Sequence, residues 1–264
     1  MDLQLQGKTA LITGSTLGIG FASAAALRAD GASVIVNGRT QQRVDAAVEK
    51  LRAIPGPGNV RGVAIDLATP TGAEGMLRAF PTVDILVNNL GIFEPKPFLE
   101  TPDEDWQRFF DTNVMSGVRL TRAYLPAMLK NNWGRVVFIS SESGLQTPAE
   151  MVHYGMTKSA QIAIARGIAE LTAGTGVTVN SILPGPTASE GVADFVRAFA
   201  ARQNQSSAEF EREFFRTARP TSLLKRFQTP EEIAAFVALV CSPRGSGVNG
   251  SALRVDGGVV RSAF

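Results

Sequence analysis

The alternation of short apolar runs with amphipathic stretches predicts a single α/β domain over residues 1–264: a doubly wound parallel sheet of seven strands with helices on both faces. Three observations carry the prediction. Strand-like runs recur near 8–13, 32–37, 60–65, 83–88, 135–140, 177–183 and 251–255. Helix-length segments separate them, near 18–30, 40–53, 70–80, 102–130, 152–174 and 229–242. A chain of 264 residues, 44% of them hydrophobic, is long enough to bury such a sheet as one domain.

The first run, Lys8 to Thr13, enters a glycine-rich turn with Gly14, Gly18 and Gly20, then an alanine-rich helix. Strand, glycine turn and helix form the context that cradles a phosphate. Glycines let the backbone approach closely, and the helix start offers N–H groups and a positive dipole end. The second strand ends in Asn37-Gly38-Arg39, the third before Asp66 and the fourth at Asn88. Ile54 to Asn59, rich in Pro and Gly, is a turn rather than a domain linker, and Asn131 to Gly134 closes a helix before the fifth strand. Strand ends of this kind converge on one crevice in an open parallel sheet, with right-handed crossovers.

The fifth run closes at Ser141, and Pro184-Gly185 follows the sixth. Beyond Ser141 come Tyr154 and Lys158, four residues apart and so on one helix face. A neighbouring positive charge favours the phenolate, so Lys158 is expected to lower the Tyr154 pKa from its ordinary value of about 10. A hydroxyl, a phenol and an ammonium in one span are acid–base equipment for a carbonyl or an alcohol. Taken alone, a Tyr-x-x-x-Lys pair is an ordinary surface helix pair.

Thr13 to Gly20, Asn88-Asn-Leu-Gly91, Asn113, Ile139 to Gly144, Tyr154 to Lys158 and Pro184-Gly185 occur in this order, with Tyr154 at 13 positions after Ser141. In these motifs the chain resembles the short-chain dehydrogenase/reductase family, its 3-oxoacyl-carrier-protein reductases included, over nearly its whole length. The resemblance implies a Rossmann-type fold and a nicotinamide cofactor. It implies cofactor contacts from Gly14, Ser15, Gly18, Ile19, Gly20, Arg39, Asp66, Leu67, Asn88, Gly91, Tyr154, Lys158, Thr187 and Ser189. It implies that Tyr154 exchanges a proton with the substrate oxygen and that Ser141 hydrogen-bonds that oxygen. Lys158 binds the nicotinamide ribose, and Asn113 helps hold a water that links Lys158 to solvent. Gly38 stands where NAD-preferring relatives carry Asp, and the Arg39 guanidinium can hold a phosphate, so NADP(H) is favoured with NAD(H) possible. Three residues depart from the family pattern: Leu17 where many NADP users have Lys or Arg, Leu90 for Ala, and Ser189 for Thr.

The expected activity is interconversion of a carbonyl and a secondary alcohol on a small-molecule substrate. Alternatives are an NAD-linked alcohol or polyol dehydrogenase, a dehydratase or epimerase on the same fold, and a nucleotide-binding regulatory protein without chemistry. Residues 187–228 are expected to form a substrate lid, with Phe195, Phe199, Phe214 and Phe215 leaning toward a partly apolar substrate. Glu142, Gln146, Met151 and His153 flank the catalytic residues, with His153 expected on the substrate loop or surface. The net charge of +2 without long basic runs gives no reason to expect nucleic acid. No apolar stretch reaches membrane-spanning length and no signal-peptide core is visible, so a cytoplasmic protein is expected. The only cysteine, Cys241, reads as a buried helix thiol, and with one histidine no metal site is expected. Family habit implies a homotetramer built through helices 102–130 and 152–174, with a dimer as alternative.

Overall fold

The computed structural model describes residues 2–189 and 206–263. Along the chain it runs β1 (Thr9–Ile12), α1 (Gly18–Ala29), β2 (Ser33–Gly38), α2 (Gln41–Arg52), β3 (Val60–Ala64), α3 (Pro70–Ala79), β4 (Ile85–Asn88), α4 (Asp103–Phe109) and α5 (Ser116–Lys130). It continues through β5 (Gly134–Ile139), α6 (Val152–Glu170), β6 (Val177–Pro184), α7 (Ser207–Thr217), α8 (Pro230–Cys241) and β7 (Ala252–Val255). The seven strands form one parallel sheet in the order β3-β2-β1-β4-β5-β6-β7. This is the Rossmann-type arrangement expected, and the strand order reverses between β1 and β4, where a crevice opens at the carboxyl ends.

Period-2 alternation divides the core into two layers. Ala10, Ile12, Val34, Val36, Ile85, Val87, Val137 and Ile139 face one side, with Leu27, Val44, Leu51, Ile233 and Val237 from α1, α2 and α8. Leu11, Ile35, Leu86, Val136 and Phe138 face the other, with Met76, Leu120, Tyr124 and Ala165 from α3, α5 and α6. A separate aromatic cluster joins Phe210 and Phe214 on α7 to Phe227.

Two helices differ from expectation. The stretch expected as one helix over 102–130 contains a π-helical segment, Phe110–Met115, between α4 and α5. Helix α6 stops at Glu170 rather than 174 because threonines take over the carbonyls: Thr172 Oγ1 donates to Ala169 O at 2.8 Å and Thr175 Oγ1 to Thr172 O at 2.7 Å. Within the lid span 187–228, the helical pattern holding Phe195 and Phe199 and the polar patch Gln203 to Gln205 lie outside the described residues. Among the described residues, no helix is long and apolar enough to cross a membrane.

Candidate active site

The glycine turn is held open from below. Asn37, buried at the end of β2, accepts from Gly14 N–H at 3.2 Å and donates to Ile65 O at 3.0 Å, tying the turn to the third strand's exit. Gly14 and Gly18 adopt left-handed φ values of +59° and +58°, which favour glycine. A Cβ at Gly20 would lie 2.5 Å from Asn89 Nδ2 and 2.7 Å from Gly14 O, so only glycine lets α1 start this close to the turn. The N-cap Leu17 makes no side-chain cap, and the first turn of α1 carries no acid of its own to repel an anion. These features fit a pyrophosphate.

Several predicted cofactor residues also brace the fold. Ser15 is fully buried, its hydroxyl donating to Ile12 O at 2.7 Å and accepting from Asn37 N–H at 3.1 Å. The Leu67 side chain is in the core, so only its main chain can face a ligand. Asn88 is buried and donates to Thr121 Oγ1 at 3.1 Å, away from the crevice. Its neighbour Asn89, which sequence reasoning passed over, lines the cavity and donates to both Thr13 O and Gly14 O at 2.9 Å. Asp66 is exposed beyond β3, its Oδ1 accepting from Ala68 N–H at 3.0 Å. Leu90 packs beside the turn, its Cα 3.2 Å from where a Gly14 Cβ would stand. Arg39 is exposed and makes no ion pair with a described residue. A Cβ at Gly38 would meet Thr16 Cγ2 at 2.6 Å and Val44 Cγ2 at 3.1 Å, which disfavours any side chain there, an acid included.

Beyond the turn lies a cavity of about 670 Å³. It brings together Ile19, Gly91, Ser141, Tyr154, Lys158, Thr187 and Ser189, residues separated by up to 170 positions in sequence. Ser141 lies two residues past β5 and caps the short turn that follows, its Oγ accepting from Ser143 N–H at 3.1 Å. Tyr154 and Lys158 share one face of α6, with Lys158 Nζ 5.5 Å from the Tyr154 ring centre. Lys158 Nζ donates to Ile139 O at 2.9 Å and to Gln161 Oε1 at 3.2 Å. Gln161 Nε2 donates in turn to Asn113 O at 2.6 Å. Asn113 sits in the π-helical segment, a form that often marks functional positions. Its amide clamps Ile92, accepting from Ile92 N–H at 2.8 Å and donating to Ile92 O at 3.0 Å, and it also donates to Thr157 Oγ1 at 3.0 Å. Asn113 thus reaches Lys158 through Gln161.

The electrostatics differ from the expectation that Lys158 lowers the phenol pKa. Burial holds the Tyr154 phenol well above its ordinary value, the Glu142 carboxylate adds to the rise, and Ser141 and Arg219 oppose it. Lys158 is itself pulled down to about 8 by burial, with Glu142 working against the shift. The phenol is therefore kept as a proton donor.

Glu142 makes contacts that the sequence did not announce. Its Oε2 accepts from Ser141 Oγ, and its Oε1 pairs with Arg219 Nε at 3.0 Å. Arg219, just past α7, also donates to Glu150 Oε1 at 3.1 Å. Glu142 and Met151 line the cavity; Gln146 is exposed. His153, expected at the substrate loop or surface, is instead buried edge-on against Phe109 at 4.3 Å between ring centres, near Trp106, and burial lowers its pKa.

Comparison with known proteins shows the family and the fold. The short chain dehydrogenase family matches residues 8–198. An uncharacterized oxidoreductase of Bacillus subtilis, YvaG, is 48% identical over 264 residues, covering 100% of each chain. A 3-oxoacyl-[acyl-carrier-protein] reductase of Aquifex aeolicus is 32% identical, with 98% of this chain and 100% of that one covered. Among solved structures, the L-sorbose reductase of Gluconobacter frateurii complexed with NADPH and L-sorbose superposes with a TM-score of 0.91 at 31% identity, covering 99% of this chain and 100% of that one. A 7α-hydroxysteroid dehydrogenase complexed with NADH superposes with a TM-score of 0.84 at 28% identity, covering 100% of this chain and 98% of that one.

Proposed function

This chain belongs to the short-chain dehydrogenase/reductase family and is an NAD(P)-dependent oxidoreductase; from that premise we propose that it reduces a carbonyl to a secondary alcohol with NADPH. The observation that carries the reading is the meeting of Ser141, Tyr154 and Lys158 in one cavity beside a glycine cradle fit for a pyrophosphate. When bound, the nicotinamide supplies or accepts the hydride. The protein's part is positioning and proton transfer. Ser141 hydrogen-bonds the substrate oxygen and stabilises charge that grows there. Tyr154, held protonated by burial, gives its proton to that oxygen. Lys158 holds the nicotinamide ribose and is steadied by Ile139 O and by Gln161, which ties it to Asn113. A protonated phenol favours reduction over oxidation as the working direction.

The choice of NADP over NAD rests on Arg39, exposed and without an ion pair to any described residue, and on Gly38, where an added Cβ would press on the Thr16 and Val44 methyls. Gly14, Gly18, Ile19 and Gly20 would hold the pyrophosphate, and Thr187 and Ser189 the carboxamide. Part of the proposed lid is described: Phe210, Phe214, Arg219 and Phe227 form a wall of the cavity. A homotetramer acting in the cytoplasm belongs to the same proposal. Its support is the apolar surface left at Phe98 (57% exposed), Leu99 (94%) and Leu171 (67%) around the expected helices. Light scattering tests the assembly, with a monomer mass ending it.

The function is tested by reduction with NADPH deuterated at C4. Deuterium on the carbinol carbon of the product supports direct transfer; its absence overturns the reading.

A further inference from the structure

We infer that Glu142 selects neutral substrates carrying a hydroxyl on the carbon beside the reacting carbonyl. The inference rests on the site being a carbonyl reductase and names its substrate class. It follows from counting hydrogen bonds. The Ser141 hydroxyl has one proton and two lone pairs. The proton goes to Glu142 Oε2, and one lone pair accepts from Ser143 N–H at 3.1 Å. A carbonyl oxygen can only accept. Ser141 can hold it only by turning its proton away from Glu142.

That turn strips a donor from the carboxylate of a side chain that is 7% exposed, and a buried acceptor without its donor is costly. In the structure Arg219 reaches only the other oxygen, Oε1, through Nε, and its Nη1 goes to Glu150. A hydroxyl on the adjacent carbon supplies the missing proton to Glu142 while Ser141 turns to the carbonyl. A plain ketone cannot. Glu142 lines the same cavity as Ser141 and Tyr154, so the donor would arrive from within the substrate itself.

Charge sets the second half of the inference. The described lining holds Lys158 and Arg219 beside Glu142, Glu150 and Glu213, the last of these already paired with Arg216 at 2.7 Å. Arg219 is committed to two of these carboxylates, and Lys158 donates to Ile139 O and Gln161. A substrate bearing its own carboxylate meets Glu142 and Glu150, which share one guanidinium, and no cation of the described lining that lacks a partner. Neutral α-hydroxy ketones satisfy both conditions.

The test compares 1-hydroxy-2-butanone, 2-butanone and 3-oxobutanoate as probes, with NADPH, for the wild type and Glu142→Gln. The wild type is expected to favour the hydroxy ketone over butanone by about tenfold to a hundredfold in kcat/KM, the scale of one hydrogen bond to a charged group, and to use 3-oxobutanoate least. In Glu142→Gln the ratio of hydroxy ketone to butanone is expected to fall to about threefold or less, since a neutral amide can also donate to Ser141. NADPH titration and thermal melting confirm that the variant is folded. A wild type that uses the two neutral ketones equally, or prefers the oxo acid, overturns the inference and leaves the reductase reading standing. So does a folded variant that keeps the wild-type ratio. A wild type that binds NADPH but reduces none of the three overturns the reductase reading and the inference with it.

Discussion

The ion pair between Glu142 and Arg219 joins the loop after β5 to the segment after α7, and it gives an asymmetric prediction. The side chains are 7% and 11% exposed, and Arg219 has a second, more solvated partner in Glu150, 49% exposed. Removing one partner of a fully buried pair costs about 3–5 kcal/mol, because the other charge stays behind uncompensated. Arg219→Gln leaves Glu142 in that position beside Ser141. With slight exposure discounting the cost to about 3 kcal/mol, and about 2–4 °C of Tm per kcal/mol for a chain of this size, Tm should fall by roughly 6–12 °C. Glu142→Gln leaves Arg219 its Glu150 partner and keeps an amide oxygen to accept from it, so its loss should be about 1 kcal/mol, the net worth of one ordinary hydrogen bond. The double variant should be more stable than Arg219→Gln alone, with a coupling energy of about 1–2 kcal/mol in the cycle. Calorimetry on the four proteins measures this. An Arg219→Gln melt within about 2 °C of wild type, or a double variant no better than that single one, would refute the claim that the pair is buried and mutually dependent.

Further tests follow from the same geometry. Lys158 is pulled down to about 8, so its ammonium is lost as pH rises through that value, and kcat/KM for reduction should fall above it. Lys158→Arg stays protonated, so its residual activity should lack that limb; a wild-type profile flat to pH ~9.5 would contradict the assignment. The sign for stability is opposite: the unfolded lysine binds its proton up to its ordinary 10.5, so folding stability should gain from this group between pH 8 and 10.5, as urea titrations would read. Arg39→Ala should weaken NADPH binding by about tenfold to a hundredfold, as loss of charge-assisted bonds to a phosphate does, with NADH binding little changed. Equal losses for both nucleotides in fluorescence titration would remove Arg39 from cofactor choice.

Much of this was legible because it rests on local pattern. The strands are set by alternating apolar residues, which the two core layers then use on opposite faces, so Leu11 and Ile12 part company as period 2 requires. The Tyr154 and Lys158 face follows from helix geometry alone. Gln161 was legible in principle too, lying three residues beyond Lys158 on the same face, yet its link to Asn113 needs the fold. The π-helical segment was not legible, since its sequence keeps an ordinary helical pattern, while its Asn113 bonds Ile92, 21 positions away. Arg219 lies 77 residues from Glu142, and no spacing rule joins them. The direction of the Tyr154 shift failed for the same reason: spacing reports the nearby lysine, whereas burial and Glu142 are tertiary. His153 was misplaced because one residue's angular offset from Tyr154 does not say whether that side meets solvent or, as here, Phe109.

The central claim is that Tyr154 donates the proton to the substrate oxygen. The most direct measurement is NADPH oxidation driven by a carbonyl substrate in wild type and Tyr154→Phe, with NADPH affinity titrated in both. The account predicts a loss of turnover of about a hundredfold or more, the usual scale of general acid catalysis, with affinity nearly unchanged. A phenylalanine variant that turns over at a rate comparable to wild type would contradict it.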